Sequence, residues 1–192
     1  MDPTHGYERI APAFIDYRGR HPNGTGAETV GTWALAFPAA TAVLDLGCGT
    51  GLPVTKALVD AGLDVYGIDA SPTMIAAFRQ NFPAIPVVCE SVVDSPFFDR
   101  TFDAILAWGL VFLLSEADQR TLIEQIGNAL RPGGRLLFTA PWQAGEWEDL
   151  MTGETSRSLG ETRYRELLTT AGFTEIKGFE AAGNHYFEAV MG

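Results

Sequence analysis

Three glycines, Gly47, Gly49 and Gly51, stand two residues apart between the largely apolar run 43–46 and a helix-like stretch. Clustered glycine costs backbone entropy on folding, so it needs a compensating reason. The usual reason is a backbone that turns sharply and approaches a ligand closely, with the first amides of the following helix favouring an anionic group. A tight turn that binds nothing is the alternative explanation of the same residues.

An acidic residue, Asp69, stands at the end of the next apolar run, on the side where the glycine loop is expected. A carboxylate there can accept hydrogen bonds from both hydroxyls of a ribose, so loop and acid together indicate an adenosine-containing ligand. A dinucleotide fingerprint requires glycine at its first, third and sixth positions, but the sixth position counted from Gly47 is Leu52. The phosphate-binding loop of nucleotide hydrolases is also absent from the sequence.

Alternating strands and helices are predicted to position these residues. Amphipathic helices are expected at 6–18 and 27–37, on either side of a loop at 21–26. From residue 41 the pattern alternates, which predicts a parallel sheet covered by helices on both faces. The expected strands are 41–46, 63–69, 85–90, 102–108 and 135–140, and the expected helices are 52–62, 72–81, 116–130 and 161–171. Residues 142–159 are expected to be irregular, and the last two strands, 173–180 and 184–191, are close enough in sequence to pair antiparallel.

Composition excludes several classes of partner. The formal net charge of -11 and the absence of a Lys/Arg cluster argue against nucleic acid as a ligand. No stretch approaches the roughly 20 apolar residues of a membrane span, so no membrane association is expected. Two cysteines, Cys48 and Cys89, do not have the spacing of a zinc site or a disulfide framework. We therefore expect a cytoplasmic protein, monomeric or homodimeric, without a metal.

The motif DLGCGTG (45–51), followed by YGIDASPTMI (66–75), resembles the class I S-adenosylmethionine-dependent methyltransferases. The later segments DRTFDAILAW (99–108) and LRPGGRLLFTAP (130–141) resemble that family too. The resemblance implies a three-layer, Rossmann-like α/β fold with a seven-stranded, mostly parallel sheet and an antiparallel last strand. It also implies S-adenosylmethionine as cofactor and S-adenosylhomocysteine as product. We expect one domain, with a helical cap (1–40), a cofactor-binding core (41–141), a substrate-side insertion (142–160) and a final helix and strand pair (161–192).

The resemblance also assigns cofactor contacts residue by residue. Asp45 is expected near the amino group of the methionine moiety, and Asp69 at the ribose. The backbone of the loop, the residues flanking the adenine and the end of the fourth strand supply the rest: Gly47, Cys48, Gly49, Ala70, Met74, Glu90, Ser91, Trp108 and Gly109. Tyr7 and Tyr17, on the first helix, are candidates to close over the cofactor, and packing within the helical cap is the alternative for both.

His185 is the candidate catalytic residue. The final strand runs opposite to the parallel strands, so its first residues, Asn184 and His185, begin at the edge where the parallel strands end. We expect both near the transferred methyl group, with His185 orienting or deprotonating the acceptor. A histidine that only caps the hairpin is the alternative. His21 is a further candidate, in a loop that could belong to a lid.

Two tryptophans, Trp142 and Trp147, lie in the expected insertion after the fifth strand and are predicted to form an apolar wall over a small substrate. Covering the sheet is the alternative role for both. The short chain offers no dedicated recognition domain, so the sequence favours O-, N- or S-methylation of a small molecule by in-line transfer. A non-catalytic protein that binds S-adenosylmethionine and a nicotinamide-dependent dehydrogenase are the alternatives.

Overall fold

Seven strands form the central sheet of this computed structural model, which describes residues 2–21 and 24–192. Two residues of the loop expected at 21–26, Pro22 and Asn23, lie outside that range. The strands of this sheet and of a separate hairpin, β6–β7, are β1 (Ala42–Leu46), β2 (Asp64–Asp69), β3 (Val87–Cys89), β4 (Phe102–Ala107), β5 (Leu130–Thr139), β6 (Gly145–Glu148), β7 (Thr155–Ser158), β8 (Phe173–Ala181) and β9 (Asn184–Met191). The helices are α1 (Tyr7–Arg20), α2 (Ala27–Ala34), α3 (Val54–Asp60), α4 (Pro72–Asn81), α5 (Glu116–Ala129) and α6 (Glu161–Thr170).

The strand order of the central sheet is β3-β2-β1-β4-β5-β9-β8. Strand β9 runs opposite to the other six strands of this sheet and pairs antiparallel with β5 on one side and β8 on the other. This confirms the expected seven-stranded, mostly parallel sheet. The order reverses between β1 and β4, and ligands of open α/β sheets bind at such a switch point, beyond the carboxyl ends of the strands.

Helices cover both faces of the sheet because the strands carry apolar side chains on both faces. Val43 of β1 packs with Val30 of α2 and Leu58 of α3 in one apolar cluster. Leu44, the next residue along β1, packs with Ile123 of α5 in another. A strand turns successive side chains to opposite faces, so a short run of apolar residues anchors both layers.

Two helices begin directly after a serine whose side chain caps them. Ser71 precedes α4 and its hydroxyl accepts a hydrogen bond from the amide of Met74, with Pro72 in the first helical position. Ser115 caps α5 in the same way through the amide of Asp118. None of the helices among the described residues has the length and apolar character needed to cross a membrane.

The expectation of irregular structure at 142–159 is wrong, because this segment contains the antiparallel hairpin β6–β7. The hairpin pairs Trp147 with Ser156 and does not join the central sheet. Its first strand is exposed throughout, so it lacks the alternation of apolar and polar residues by which a half-buried strand is recognised.

Candidate active site

A cavity of about 650 Å³ lies at the carboxyl ends of the parallel strands, and its size is within the range of small-molecule and cofactor sites. The glycine loop after β1 and the end of β2 form one part of its wall. The residues after β4 form a second part, and α1 with the β6–β7 hairpin contribute the third.

The three glycines of the loop share one backbone conformation but differ in what surrounds them. All have positive φ, which favours glycine: 71° at Gly47, 54° at Gly49 and 79° at Gly51. A β-carbon at Gly51 would collide with the ring of Phe82, and one at Gly47 would lie 3.1 Å from Leu110. A β-carbon at Gly49 would meet no atom within 4 Å. Since Gly49 also lines the cavity, the open space beside it belongs to the site.

Asp69 joins the end of β2 to the glycine loop. One carboxylate oxygen accepts from the amide of Gly49 at 2.8 Å, and the other accepts from the amide of Ser71 at 2.8 Å. The amides of Gly47 and Cys48 both donate to the carbonyl of Ile68, the residue before Asp69. The loop is therefore fixed to β2 by its own backbone amides, which donate to a side-chain carboxylate and to a backbone carbonyl. Burial raises the pKa of the Asp69 carboxyl, and its hydrogen bonds from Gly49 and Ser71 oppose that rise.

Asp45, at the end of β1, is a buried carboxyl on the cavity wall. Burial raises its pKa to about 7, and the charge of Asp69 adds to the rise. The hydroxyl of Thr55 donates to it at 2.6 Å and opposes the shift. A carboxyl of this kind gains most from a cationic group brought into the cavity, because such a group stabilises its charged form.

Helix α1 is fixed above the cavity at two consecutive residues. The carboxylate of Glu8 accepts from the hydroxyl of Ser71 and from both the amide and the hydroxyl of Thr73, at the start of α4. The guanidinium of Arg9 donates to the carbonyl of Thr152 at 2.6 Å, in the turn of the β6–β7 hairpin. Helix α1 thus joins the helix beside the glycine loop to the hairpin.

Arg18 is a cavity residue that the sequence reading did not identify. Its guanidinium lies 5.0 Å from the ring centre of Phe14 and 5.5 Å from that of Trp108. Among the described residues it has no acidic partner, and burial lowers its pKa. An arginine in this position presents unused donors to an anion. The only sequence signal was its spacing from Tyr7 and Phe14 along α1, which places the three on one helix face.

The structure brings most of the residues singled out from the sequence to the cavity wall. These are Tyr7, Asp45, Gly47, Cys48, Gly49, Asp69, Ala70, Met74, Ser91, Trp108, Gly109, Trp147 and Asn184. Tyr7 packs edge-to-face on Phe14 at 5.6 Å, and burial with the charge of Asp149 raises the pKa of its hydroxyl to about 12.

The expectation that His185 faces the pocket is not met. Asn184 lines the cavity, and the alternation of a strand turns His185, the next residue, the other way. Its ring stacks on Trp142 at 4.3 Å, and Nδ1 accepts from the backbone amide of Trp142 at 3.2 Å. Neither His185 nor Trp142 is part of the cavity wall, and Trp142 packs against the apolar core.

Three further candidates also lie away from the cavity. Tyr17 is half exposed and packs on His21, whose Nδ1 is 2.8 Å from the carbonyl of Tyr17. Both are on the outer side of the end of α1, because Tyr17 is one residue from the inward-facing Arg18. Glu90 accepts from the hydroxyl of Ser95 at 2.6 Å and thereby shapes the loop after β3.

Comparisons with known proteins show which proteins this chain is similar to. A family described as "Methyltransferase domain" matches residues 43–134. An uncharacterized methyltransferase of Mycobacterium bovis is 39% identical over 101 residues, which cover 51% of this chain and 39% of that protein. An uncharacterized methyltransferase of Synechocystis is 29% identical over 158 residues, covering 78% of this chain and 74% of that one. The chain thus spans about two fifths of the length of the mycobacterial relative.

Solved structures share the fold. The magnesium protoporphyrin IX methyltransferase of Synechocystis, determined with bound S-adenosylmethionine, superposes with a TM-score of 0.74. The alignment covers 100% of this chain and 98% of that one at 18% sequence identity. At this identity the likeness supports the architecture, including the seven-stranded sheet, and says nothing of the substrate.

Proposed function

We propose that the chain is a class I S-adenosylmethionine-dependent methyltransferase, whose cavity binds S-adenosylmethionine and directs methyl transfer to a small molecule. The observation that carries the proposal is the open space beside Gly49, in a loop that Asp69 holds by a hydrogen bond. A glycine with positive φ and no neighbour for a β-carbon is what close approach of a ligand to the backbone requires.

The residues on the wall fit the chemical groups of this cofactor. Asp69 and the loop amides suit a ribose, and the apolar side chain of Met74 suits an adenine face. The buried carboxyl of Asp45 suits an amino group, and the guanidinium of Arg18 suits a carboxylate. At Gly109, as at Gly49, an added β-carbon would have no atom within 4 Å, so the wall after β4 is open as well.

When bound, S-adenosylmethionine supplies a methyl group on a positively charged sulfur that leaves as a neutral thioether. The protein's own contribution is alignment of the acceptor and exclusion of water. Helix α1 serves the second task, since Glu8 and Arg9 hold it across the cavity. Tyr7 and Trp108 add aromatic surface where the acceptor and the methyl group would meet.

A calorimetric titration with S-adenosylhomocysteine tests binding, with NAD as the competing dinucleotide. We expect saturable one-to-one binding of S-adenosylhomocysteine and none of NAD. Release of S-adenosylhomocysteine from S-adenosylmethionine, in the presence of a panel of small hydroxy, amino and thiol compounds, then separates an enzyme from a protein that only binds the cofactor. Preferential binding of NAD would overturn the proposal.

Arg18 provides a sharper test of where the cofactor lies. Arg18→Met keeps most of the side-chain length but removes the donors, so we expect the affinity for S-adenosylhomocysteine to fall by about 1.5–3 kcal/mol, the range for hydrogen bonds to a charged group. Arg20→Met is the matched control, because Arg20 lies on the same helix and pairs with Asp16 on the surface. Equal affinities of the two variants would remove Arg18 from the cofactor site.

A further inference from the structure

The cavity has a second half, away from the glycine loop, that the cofactor motifs do not explain. Its wall is formed by Phe112, Leu113 and Leu114, which follow β4, and by Trp147, Leu150 and Met151 of the hairpin segment. The rings of Phe112 and Trp147 lie 5.8 Å apart and connect the two groups. We infer that the methyl acceptor is an apolar, ring-containing molecule whose body lies on Trp147, Leu150 and Met151; this inference rests on the proposed function.

Two carboxylates in this half of the cavity each have one oxygen hydrogen-bonded within the protein. Asp118 accepts from the hydroxyl of Ser115 at 2.6 Å. One oxygen of Asp149 accepts from the amides of Met151 and Thr152, each at 2.9 Å. These hydrogen bonds shape the wall, and the apolar side chains beside them form the surface on which we place the acceptor.

The hairpin segment exposes apolar side chains at the cavity mouth. Leu150 is 102% exposed, Met151 48% and Trp147 36%, yet all three also line the cavity. Contiguous apolar groups at the rim of a pocket mark a surface that becomes covered during function. The same side chains belong to the rim and to the interior, so a molecule that enters the cavity and extends over its mouth covers both.

Contacts to the rest of the protein hold the hairpin segment in this open arrangement. Arg9 donates to the carbonyl of Thr152 and lies 3.5 Å from the carboxylate of Glu154. Asp149 fixes the turn between the strands through its hydrogen bonds to the following amides. Leu150 therefore stays at the mouth, where three apolar side chains form a patch much smaller than a specific protein interface but suited to a small ligand.

The test uses 1-naphthol as an apolar ring probe and glucose as a polar ring of similar size, each added with and without saturating S-adenosylhomocysteine. We expect naphthol to shift the indole N–H signal of Trp147 in NMR spectra, with that signal identified from Trp147→Phe. Leu150→Ser should weaken naphthol binding by about threefold to tenfold, because a leucine that becomes partly covered gains part of its burial free energy.

Leu35→Ser is the matched control, since Leu35 is 77% exposed and lies outside the cavity wall. Both serine variants remove a leucine that the folded protein leaves in water, so neither is expected to disturb folding. Absence of naphthol binding, binding that leaves the Trp147 signal unchanged, tighter binding of glucose, or equal affinities of the two serine variants would each overturn the inference. Failure of S-adenosylhomocysteine to bind would overturn the proposed function separately, because the naphthol titration is also made without it.

Discussion

The glycine loop and the β6–β7 hairpin segment line one cavity and are constructed in contrasting ways. The loop is fixed by backbone amides that bond to Asp69 and to the carbonyl of Ile68. The hairpin stands apart from the central sheet and is attached through the side chains of Arg9 and Gln119, which donate to the carbonyls of Thr152 and Arg157. The first region holds the buried carboxyl of Asp45, and the second exposes the apolar side chains of Leu150 and Met151. The conformation of the loop therefore depends on few of the loop's own side chains. The hairpin is held by a few side-chain contacts, so the residues on its exposed surface can vary with the substrate.

The largest effect is expected from a β-branched residue in the loop. Gly49→Val fills the open space on the cavity side and disfavours positive φ, so binding of S-adenosylhomocysteine should fall by at least about 1,000-fold, or about 4 kcal/mol. Calorimetry measures the affinity and circular dichroism the fold. Gly133→Val is the control, because Gly133 has a φ of 76° and equally open surroundings outside the cavity wall. A similar loss in both variants would mean that backbone strain, not cavity filling, explains the result.

An intermediate effect is expected from Asp45→Asn, measured as the free energy of unfolding at pH 5 and pH 8. Because burial raises the folded-state pKa of Asp45 to about 7, above its usual 3.8, the folded protein binds this proton more tightly than the unfolded chain. That contribution to stability is complete below about pH 4 and is lost as the pH rises through 7.

Asparagine cannot ionise, so Asp45→Asn should be more stable than the wild type by about 1–3 kcal/mol at pH 8, with a smaller difference at pH 5. Asp64→Asn, at the exposed start of β2, is the control and should follow the wild type at both pH values. A stability difference that does not vary with pH would contradict the raised pKa and remove the electrostatic contrast between the two regions.

The smallest effect is expected in the hairpin. Trp147→Ala should leave the affinity for S-adenosylhomocysteine within about twofold of the wild type, since its ring touches Phe112 and the cavity mouth but not the glycine loop. The same calorimetric titration measures it. A tenfold loss would show that the two regions hold a common ligand, and the distinction between them would have to be abandoned.

The sequence predicts the first region better than the second for a physical reason. Strand, loop, helix and terminal acid follow one another closely along the chain, so their order and spacing determine which atoms meet. Asp69 reaches Gly49 across a single βαβ unit. By contrast, Arg9 and Thr152 are distant in sequence, and no local pattern indicates that they bond.

Strand-end residues show the limit of topological reasoning. The start of β9 lies at the expected edge, and Asn184 lines the cavity, but His185 does not. Successive side chains of a strand point to opposite faces of the sheet. His185 therefore lies at the predicted edge but on the other face from Asn184, where its ring stacks on Trp142. Arg18 was not identified from the sequence, because its position in the cavity depends on how α1 packs over Trp108, which lies far away in the chain.

Glu8 and Arg9 have a kinetic consequence, because they are neighbours on one helix and bind different parts of the cavity wall. Displacing α1 far enough to uncover the cavity breaks the contacts of Glu8 with Ser71 and Thr73 and that of Arg9 with Thr152 in a single movement. The activation barrier for opening therefore contains both sets of hydrogen bonds. We expect a ligand that leaves by displacement of α1 to dissociate more slowly than either set of contacts alone would allow.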